Sequence, residues 1–317
     1  MLAIIAPVSA GTIHVYPGGD IKAIIEGAPA GSTIYVHAGT YPITTKIIIN
    51  KDNITLIGDG ASSTILQGNN KSDYIIQVVL ANNVSISGFT FTQGSSGIYA
   101  NLNNHGVDMN NGKIFNNIFE NNYNGIQVAG HDETDLSKYE IFNNLIVSNG
   151  TGINLFNFDA STVSNNTIVS NTNYGIMIQN KNVSNIKNNI VVSNVTGILC
   201  NNNDSTPTLT YNNVWNNTTN YSFIPAGLTP GTGSISKDPL FATGRLGTYY
   251  LSTSSPCVDS GSTSAASLGL DKMTTRTDEQ WDTGTVDMGY HYVSNRLEKK
   301  GFPIEFILKI LKGNKNN

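Results

Sequence analysis

Seven ionisable side chains gather in the stretches that follow two Gly-Ile pairs: His105 and Asp108 after Gly97-Ile98, then His131, Asp132, Glu133, Asp135 and Lys138 after Gly125-Ile126. Asp159 follows the next pair, Gly152-Ile153. Imidazole titrates near neutral pH, so His105 or His131 would act as acid/base, with Asp108, Asp132 and Lys138 completing a catalytic set. Asp132, Glu133 and Asp135 are hard oxygen donors, the ligand type that Ca²⁺ takes. The same residues also read as solvated loop insertions with no chemistry, and both readings stand at this point.

The elements that must position these groups follow from a repeat. Asn-Asn followed by an apolar residue recurs at Asn116-Asn117-Ile118, Asn143-Asn144-Leu145, Asn165-Asn166-Thr167-Ile168, Asn188-Asn189-Ile190 and Asn212-Asn213-Val214, at spacings of 27, 22, 23 and 24 residues. Gly-Ile keeps step at Gly97, Gly125, Gly152, Gly175 and Gly197. Between the markers apolar residues alternate, as in Ile126, Val128 and Ile176, Ile178, which is the period of a strand with one buried face. A unit of about 23 residues holding three short strands cannot bury its own face, but coils stacked at the strand spacing form a continuous core. The pattern therefore predicts a parallel β-helix in which stacked Asn side chains satisfy one another and the turn carbonyls. Looser coils at Asn53-Ile54 and Asn82-Asn83-Val84 extend the stack back to about Thr33. Before it, residues 11–32 form a cap in which Asp20 starts a short helix with Ile21, Ile24 and Ile25 on its apolar face.

Composition narrows the function classes. Charged residues are 13% of the chain, against about 25% in an ordinary globular domain, and their place is taken by Asn and 31 Gly, both poor helix formers. A net charge of −4 and only three arginines, Arg245, Arg276 and Arg296, provide no basic field for a phosphate backbone, so nucleic acid is excluded as a partner. Cys200 and Cys257 stand 57 residues apart without metal-ligand spacing. Cys200 is expected inward as a buried thiol, with a single disulfide to Cys257 left open. Residues 1–10 read either as the end of a secretory signal closing on Val8-Ser9-Ala10 or as a buried first strand, and no apolar run is long enough to span a membrane. Eleven Asn-x-Ser/Thr sequons weigh little in a chain this rich in Asn.

Gly31-Ser32-Thr33-Ile34-Tyr35-Val36-His37-Ala38-Gly39-Thr40-Tyr41, Ile54-Thr55-Leu56-Ile57-Gly58-Asp59-Gly60 and the repeats resemble the pectin-lyase-like right-handed β-helix proteins over residues 12–220. The segments Ser236-Lys237-Asp238-Pro239-Leu240-Phe241, Ser255-Pro256-Cys257-Val258-Asp259-Ser260-Gly261 and Val286-Asp287-Met288-Gly289-Tyr290 look like the closing part of secreted or cell-surface β-helix proteins. The resemblance implies an all-β right-handed parallel β-helix of three sheets. It also implies that Asn-Asn marks the turn between the second and third strands and that relatives hold glycans on the exposed face of the Gly-Ile sheet. It does not fix an activity, because one fold carries many.

With the isoleucines of the Gly-Ile pairs inward, the outward columns read Tyr99, Gln127, Asn154, Met177, Leu199 and Asn101, Ala129, Phe156, Gln179, Asn201. None is charged. Tyr99, Gln127, Asn154, Phe156 and Gln179 are the expected polysaccharide-binding residues, since aromatic rings stack on sugar faces and amides bond to hydroxyls. Tyr123 and Tyr174 are expected to pack at turns. Residues 221–293 should close the stack, held on the last coil by ion pairing among Asp259, Asp271, Arg276 and Asp287, with His291 unassigned. Residues 294–317 carry six basic residues against two Glu, with Ile304, Ile307, Leu308 and Leu311 forming a stripe suited to capping, to a partner, or to an anionic membrane surface. The chain so read is a secreted or cell-surface monomer that binds polysaccharide. A polysaccharide lyase using the loop cluster, with Ca²⁺, and a structural adhesin or metal-handling surface protein are the alternatives.

Overall fold

The computed structural model describes residues 10–101, 109–130, 137–157 and 159–293. Short strands and turns wind into the expected all-β right-handed parallel β-helix with three parallel sheets. The first sheet has eight strands, from Ile47–Ile49 to Thr219–Phe223, and carries the Gly-Ile pairs. The second has nine, from Thr12–Val15 to Thr208–Thr210, and the third eight, from Gly39–Pro42 to Asn213–Trp215. Each coil sends apolar columns into one core. Ile98, Ile126, Ile153, Ile176 and Ile198 are partners in register in the first sheet, as are Phe119, Ile146, Ile168, Val191 and Val214 in the third, and all ten are fully buried.

The two Asn of each of the first four pairs do different work, and in the last pair Tyr211 takes the left-handed place and Asn212 the inward one. The first adopts the left-handed backbone, with φ of 55° at Asn116, 51° at Asn143, 54° at Asn165 and 58° at Asn188, a region Asn enters more easily than most side chains. The second turns inward. The side-chain amide of Asn117 donates to Asn144 Oδ1 at 3.2 Å, and Asn144, Asn166 and Asn189 each donate to the next coil at 3.0 Å. The same oxygens accept backbone N–H groups, and the remaining amide hydrogens reach turn carbonyls such as Ile114 O, at 2.8 Å from Asn144, so the buried amides are satisfied. A second ladder, unforeseen from the sequence, runs through Asn122, Asn149, Asn171, Asn194 and Asn217 at the turn between the third and first sheets. Its signal was the triplet Val-Ser-Asn ending at Asn149, Asn171 and Asn194.

That second ladder explains the glycine of each Gly-Ile pair. A Cβ on Gly152 would lie 2.5 Å from Gly175 O and 3.2 Å from Asn171 Nδ2, and one on Gly175 would lie 2.6 Å from Gly197 O and 3.1 Å from Asn194 Nδ2. Only a residue without a side chain lets successive coils and the ladder approach this closely.

At the start, Thr12–Val15 pairs in parallel with Thr33–Val36, so the stack begins one strand earlier than the sequence suggested. The helix Ile21–Gly27 follows, with Asp20 accepting from Ala23 N–H at 3.0 Å and with Ile21 and Ile25 buried.

The closing segment differs more from expectation. It does not sit on the last coil alone but runs back along the third sheet over several coils. Lys237 O accepts from Asn213, Asp287 O from Asn165 and His291 O from Asn143, at 2.8, 3.0 and 3.0 Å. Beneath it Leu251, Cys257 and Met288 pack on Val169, Ile190 and Val192, while Tyr250, Tyr290 and Tyr292 pack on Leu145. The side chains of Asn143 and Asn165, the left-handed members of their pairs, and of Asn213 thus dock this segment. The expected ion pair is also corrected. Arg276 bonds Asp278, two residues away on the same exposed turn, whereas Asp287 is buried and takes Asp259 N–H and the Thr275 hydroxyl. Cys200 and Cys257 are both buried free thiols, not a disulfide. The expected signal remnant and basic tail fall in residues 1–9 and 294–317, outside the described residues. Among the described residues no helix is long and apolar enough to cross a membrane.

Candidate functional site

The first sheet presents one continuous outward face. Tyr99, Gln127 and Asn154 are direct partners on successive strands, and Phe156 lies in register with Ala129 on the adjoining column. Gln179 follows the next strand and donates to Asn154 Oδ1 at 2.9 Å. Ser96 Oγ, fully buried, donates to Gln127 Oε1 at 3.1 Å, so neighbouring strands are tied by side chains as well as by the backbone. The structure therefore brings all five expected binding residues onto one surface, each half-buried. None of the eight strands of this sheet contains a charged residue.

The column extends further back than the sequence reading took it. Gln77 is the partner of Tyr99, and its amide donates to Asn101 Oδ1 at 3.1 Å. It escaped notice because Ile76–Val79 lacks the Gly-Ile marker; its offset of 22 residues from Tyr99 was the available signal. Tyr74 joins it, with ring centroids 4.7 Å from Tyr99, and Lys46 Nζ stands 5.5 Å over the Tyr74 ring and 3.5 Å from Asp73. Burial, and then the neighbouring Tyr74, raise the Tyr99 phenol above its ordinary pKa, so it presents a neutral hydroxyl at neutral pH. Tyr123, expected as a packing residue, is instead 59% exposed at the turn before Asn124–Ala129.

His105, Asp108, His131, Asp132, Glu133 and Asp135, the expected catalytic and Ca²⁺-binding groups, lie outside the described residues, as does Phe158. Lys138 is exposed on the second sheet, on a different face from Tyr99. Asp159, read from the sequence as one more loop charge, is fully buried. Its carboxylate accepts from Ser161 N–H at 2.8 Å, Ser161 Oγ at 3.0 Å and Ser184 Oγ at 2.6 Å. Burial pushes its pKa up to about 6 despite those donors.

Two other clusters carry titratable groups. His37 Nδ1 lies 3.1 Å from Asp59 Oδ2, and His37 Nε2 lies 3.0 Å from His14 Nδ1, with Tyr16 stacked on His37 at 4.2 Å. If Asp59 accepts from Nδ1–H, His37 Nε2 accepts from His14, and a chain of hydrogen bonds leads from carboxylate to solvent. The sequence reading passed over both histidines, although Val36-His37 aligns with Gly58-Asp59 in the repeat. The second cluster is in the closing segment. His291 Nε2 lies 2.7 Å from Asp282 Oδ2, which also accepts Asp287 N–H at 2.9 Å, and both His291 and Asp282 are buried. Burial, and then Asp282, raise the Asp287 carboxyl above its usual range. With these bonds spent inside the segment, the cluster buttresses the closing fold.

Chemically, the sheet face can stack rings and exchange hydrogen bonds with hydroxyls. Glycoside hydrolysis by the usual route uses two carboxyls about 5–9 Å apart, and the eight strands of the first sheet supply neither one. No protein of curated function matches the sequence. Among solved structures, the pectate lyase Pel9A superposes with a TM-score of 0.52 at 13% identity, over 91% of this chain and 98% of that one. An alginate lyase from Paenibacillus sp. str. FPU-7 aligns with a TM-score of 0.46 at 14% identity, over 72% of this chain and 98% of that one. The sequence profile described as rhamnogalacturonase A/epimerase, pectate lyase-like, matches residues 20–221, more than half of the chain, and the protein belongs to that family.

Proposed function

We propose that this protein binds polysaccharide along the first-sheet face. The observation that carries the reading is the in-register column Tyr99, Gln127, Asn154, flanked by Phe156 and Gln179, on strands free of charge. Aromatic rings supply apolar platforms, and the amides supply paired donors and acceptors for hydroxyls. Strands without fixed charge suit recognition of hydroxyl pattern and ring shape. Such polymers are met outside the cell, so the reading includes a secreted or surface location.

The test is binding and chain length measured together on a panel of uronate and neutral polysaccharides, with Ca²⁺ or chelator present. Retention of a polymer without shortening, weakened about tenfold by Tyr99→Ala with Phe156→Ala, supports binding. The polysaccharide-lyase reading rests on the family. Shortening that produces an unsaturated end and vanishes in His131→Ala or Asp132→Ala protein would replace the binding reading with that one.

A further inference from the structure

A second surface with sugar-binding chemistry lies where the third sheet meets the closing segment. Its floor is an outward column of successive strands, Val169, Val192 and Trp215, in register. Its wall is the hairpin Phe241–Gly244 and Gly247–Leu251, from which Phe241 and Tyr249 meet edge to face with centroids 5.3 Å apart. Between them is an open groove of about 680 Å³, within the range of small-molecule sites. Trp215, Phe241 and Tyr249 line it and are each only partly buried.

The polar lining is equally specific. Ser170 and Ser193 occupy equivalent exposed turn positions one coil apart, with left-handed φ of 54° and 58°. Across from them, Ser252 and Ser254 hydroxyls lie 3.1 Å apart, and Asp238 is held by accepting Leu240 N–H at 2.9 Å. No lysine or arginine lines the groove, and its one charge is the Asp238 carboxylate. That balance disfavours an anionic ligand and offers only hydroxyls and an acceptor to the hydroxyls of a neutral one. Strands repeat about every 4.8 Å along the axis, so Ser170 and Ser193 recur at a spacing comparable to that of pyranose units in a chain.

We propose that this groove is a binding site for a neutral oligosaccharide, with Trp215 as its stacking platform. It is separate from the first-sheet face and stands whether or not that face binds polymer. Stacking of a sugar on Trp215 buries the indole, and aromatic anchors of this kind dominate affinity.

The experiment titrates the full chain with cellohexaose and mannohexaose, and with hexagalacturonate as the charged comparison, followed by calorimetry and tryptophan fluorescence. The expected result is saturable binding of at least one neutral hexaose with a fluorescence shift. Affinity should fall about tenfold in Tyr249→Ala and in Ser254→Arg, the latter an exposed rim change that leaves the core untouched. Tyr99→Ala with Phe156→Ala should leave this binding intact. The proposal is overturned if neither neutral hexaose saturates at millimolar concentration, if hexagalacturonate binds as well as they do, or if binding is lost in the first-sheet variant but kept in Ser254→Arg.

Discussion

The outward faces of the first and third sheets are built by the same coils at the same spacing, yet among the described residues only one is covered. On the third sheet the outward positions Leu145 and Ile190 are apolar and buried beneath the closing segment, and Val169 and Val192 are buried where its edge meets the groove. On the first, Gln77, Tyr99, Gln127 and Asn154 are polar or amphipathic and half-buried. In a solenoid the inward columns are apolar everywhere, so they say nothing about which face meets solvent. The outward column decides, because exposed apolar area gains free energy when something covers it and an amide column does not.

The comparison breaks most visibly if a polar residue costs the same on both faces. Ile190→Asn should lower stability by about 4 kcal/mol, the sum of lost apolar burial and an amide trapped under the closing segment. Met177→Asn, at an outward position of the first sheet, should cost under about 1 kcal/mol. Urea denaturation midpoints read both, and equal losses would mean that the first-sheet face is covered too. Gly152→Ala comes next. A Cβ there meets Gly175 O at 2.5 Å and Ile168 Cγ2 at 2.8 Å, and backbone cannot yield cheaply, so a loss of about 3 kcal/mol is expected in the same assay.

How much of this was legible follows from what repeats. The Asn-Asn and Gly-Ile markers recur because each coil poses the same problem to the same residue: an amide that must be satisfied in Asn144 or Asn166, and a contact that excludes a side chain at Gly152 or Gly175. Fold, inward columns and the Tyr99 face could therefore be read directly. The second Asn ladder was equally periodic but hidden, because its left-handed position changes type, with Asn121 and Asn216 at the ends but Ser148, Ser170 and Ser193 between them. The path of the closing segment was not legible, since its hydrogen bonds join residues as distant as Asn143 and His291, and no local pattern encodes that pairing. The same holds for His14, His37 and Asp59, which meet only because three successive coils stack.

Asp159 sharpens the comparison at the first turn of the coil. Asn182 holds the equivalent place one coil on and accepts Ser184 N–H at 2.9 Å, as Asp159 accepts Ser161 N–H, so an amide oxygen can replace the carboxylate there, although Asn182 Nδ2 is buried without a partner. The folded-state pKa of about 6 stands above the ordinary 3.8, so the ionised carboxylate is disfavoured by the fold. Its cost is absent below pH 4, grows between pH 4 and 6, and is full above 6. That difference in pKa corresponds to at most about 3 kcal/mol. Asp159→Asn should therefore stabilise the protein by up to that amount at pH 7.5 and by under about 1 kcal/mol at pH 4. Denaturation at the two pH values checks this, and a gain that did not depend on pH would mean that ionisation is not the source.

The smallest stability effect is expected where function is proposed. Asn154 accepts from Gln179 at 2.9 Å on a half-buried surface, and both side chains can turn to water when separated. Asn154→Ala should then cost under about 1 kcal/mol of stability, because no group is left buried and unpaired. The same change removes a donor and an acceptor from the centre of the Tyr99 column, so polysaccharide affinity should fall about tenfold. The ratio of the two effects is the informative quantity. A residue kept for packing, such as Ile190, loses stability first, whereas a residue kept for a ligand loses affinity while the fold stands. If Asn154→Ala destabilised the chain strongly and left binding unchanged, the amide column of the first sheet would be a second structural ladder turned outward, and the sugar-binding role would pass to Tyr99 and Phe156 alone.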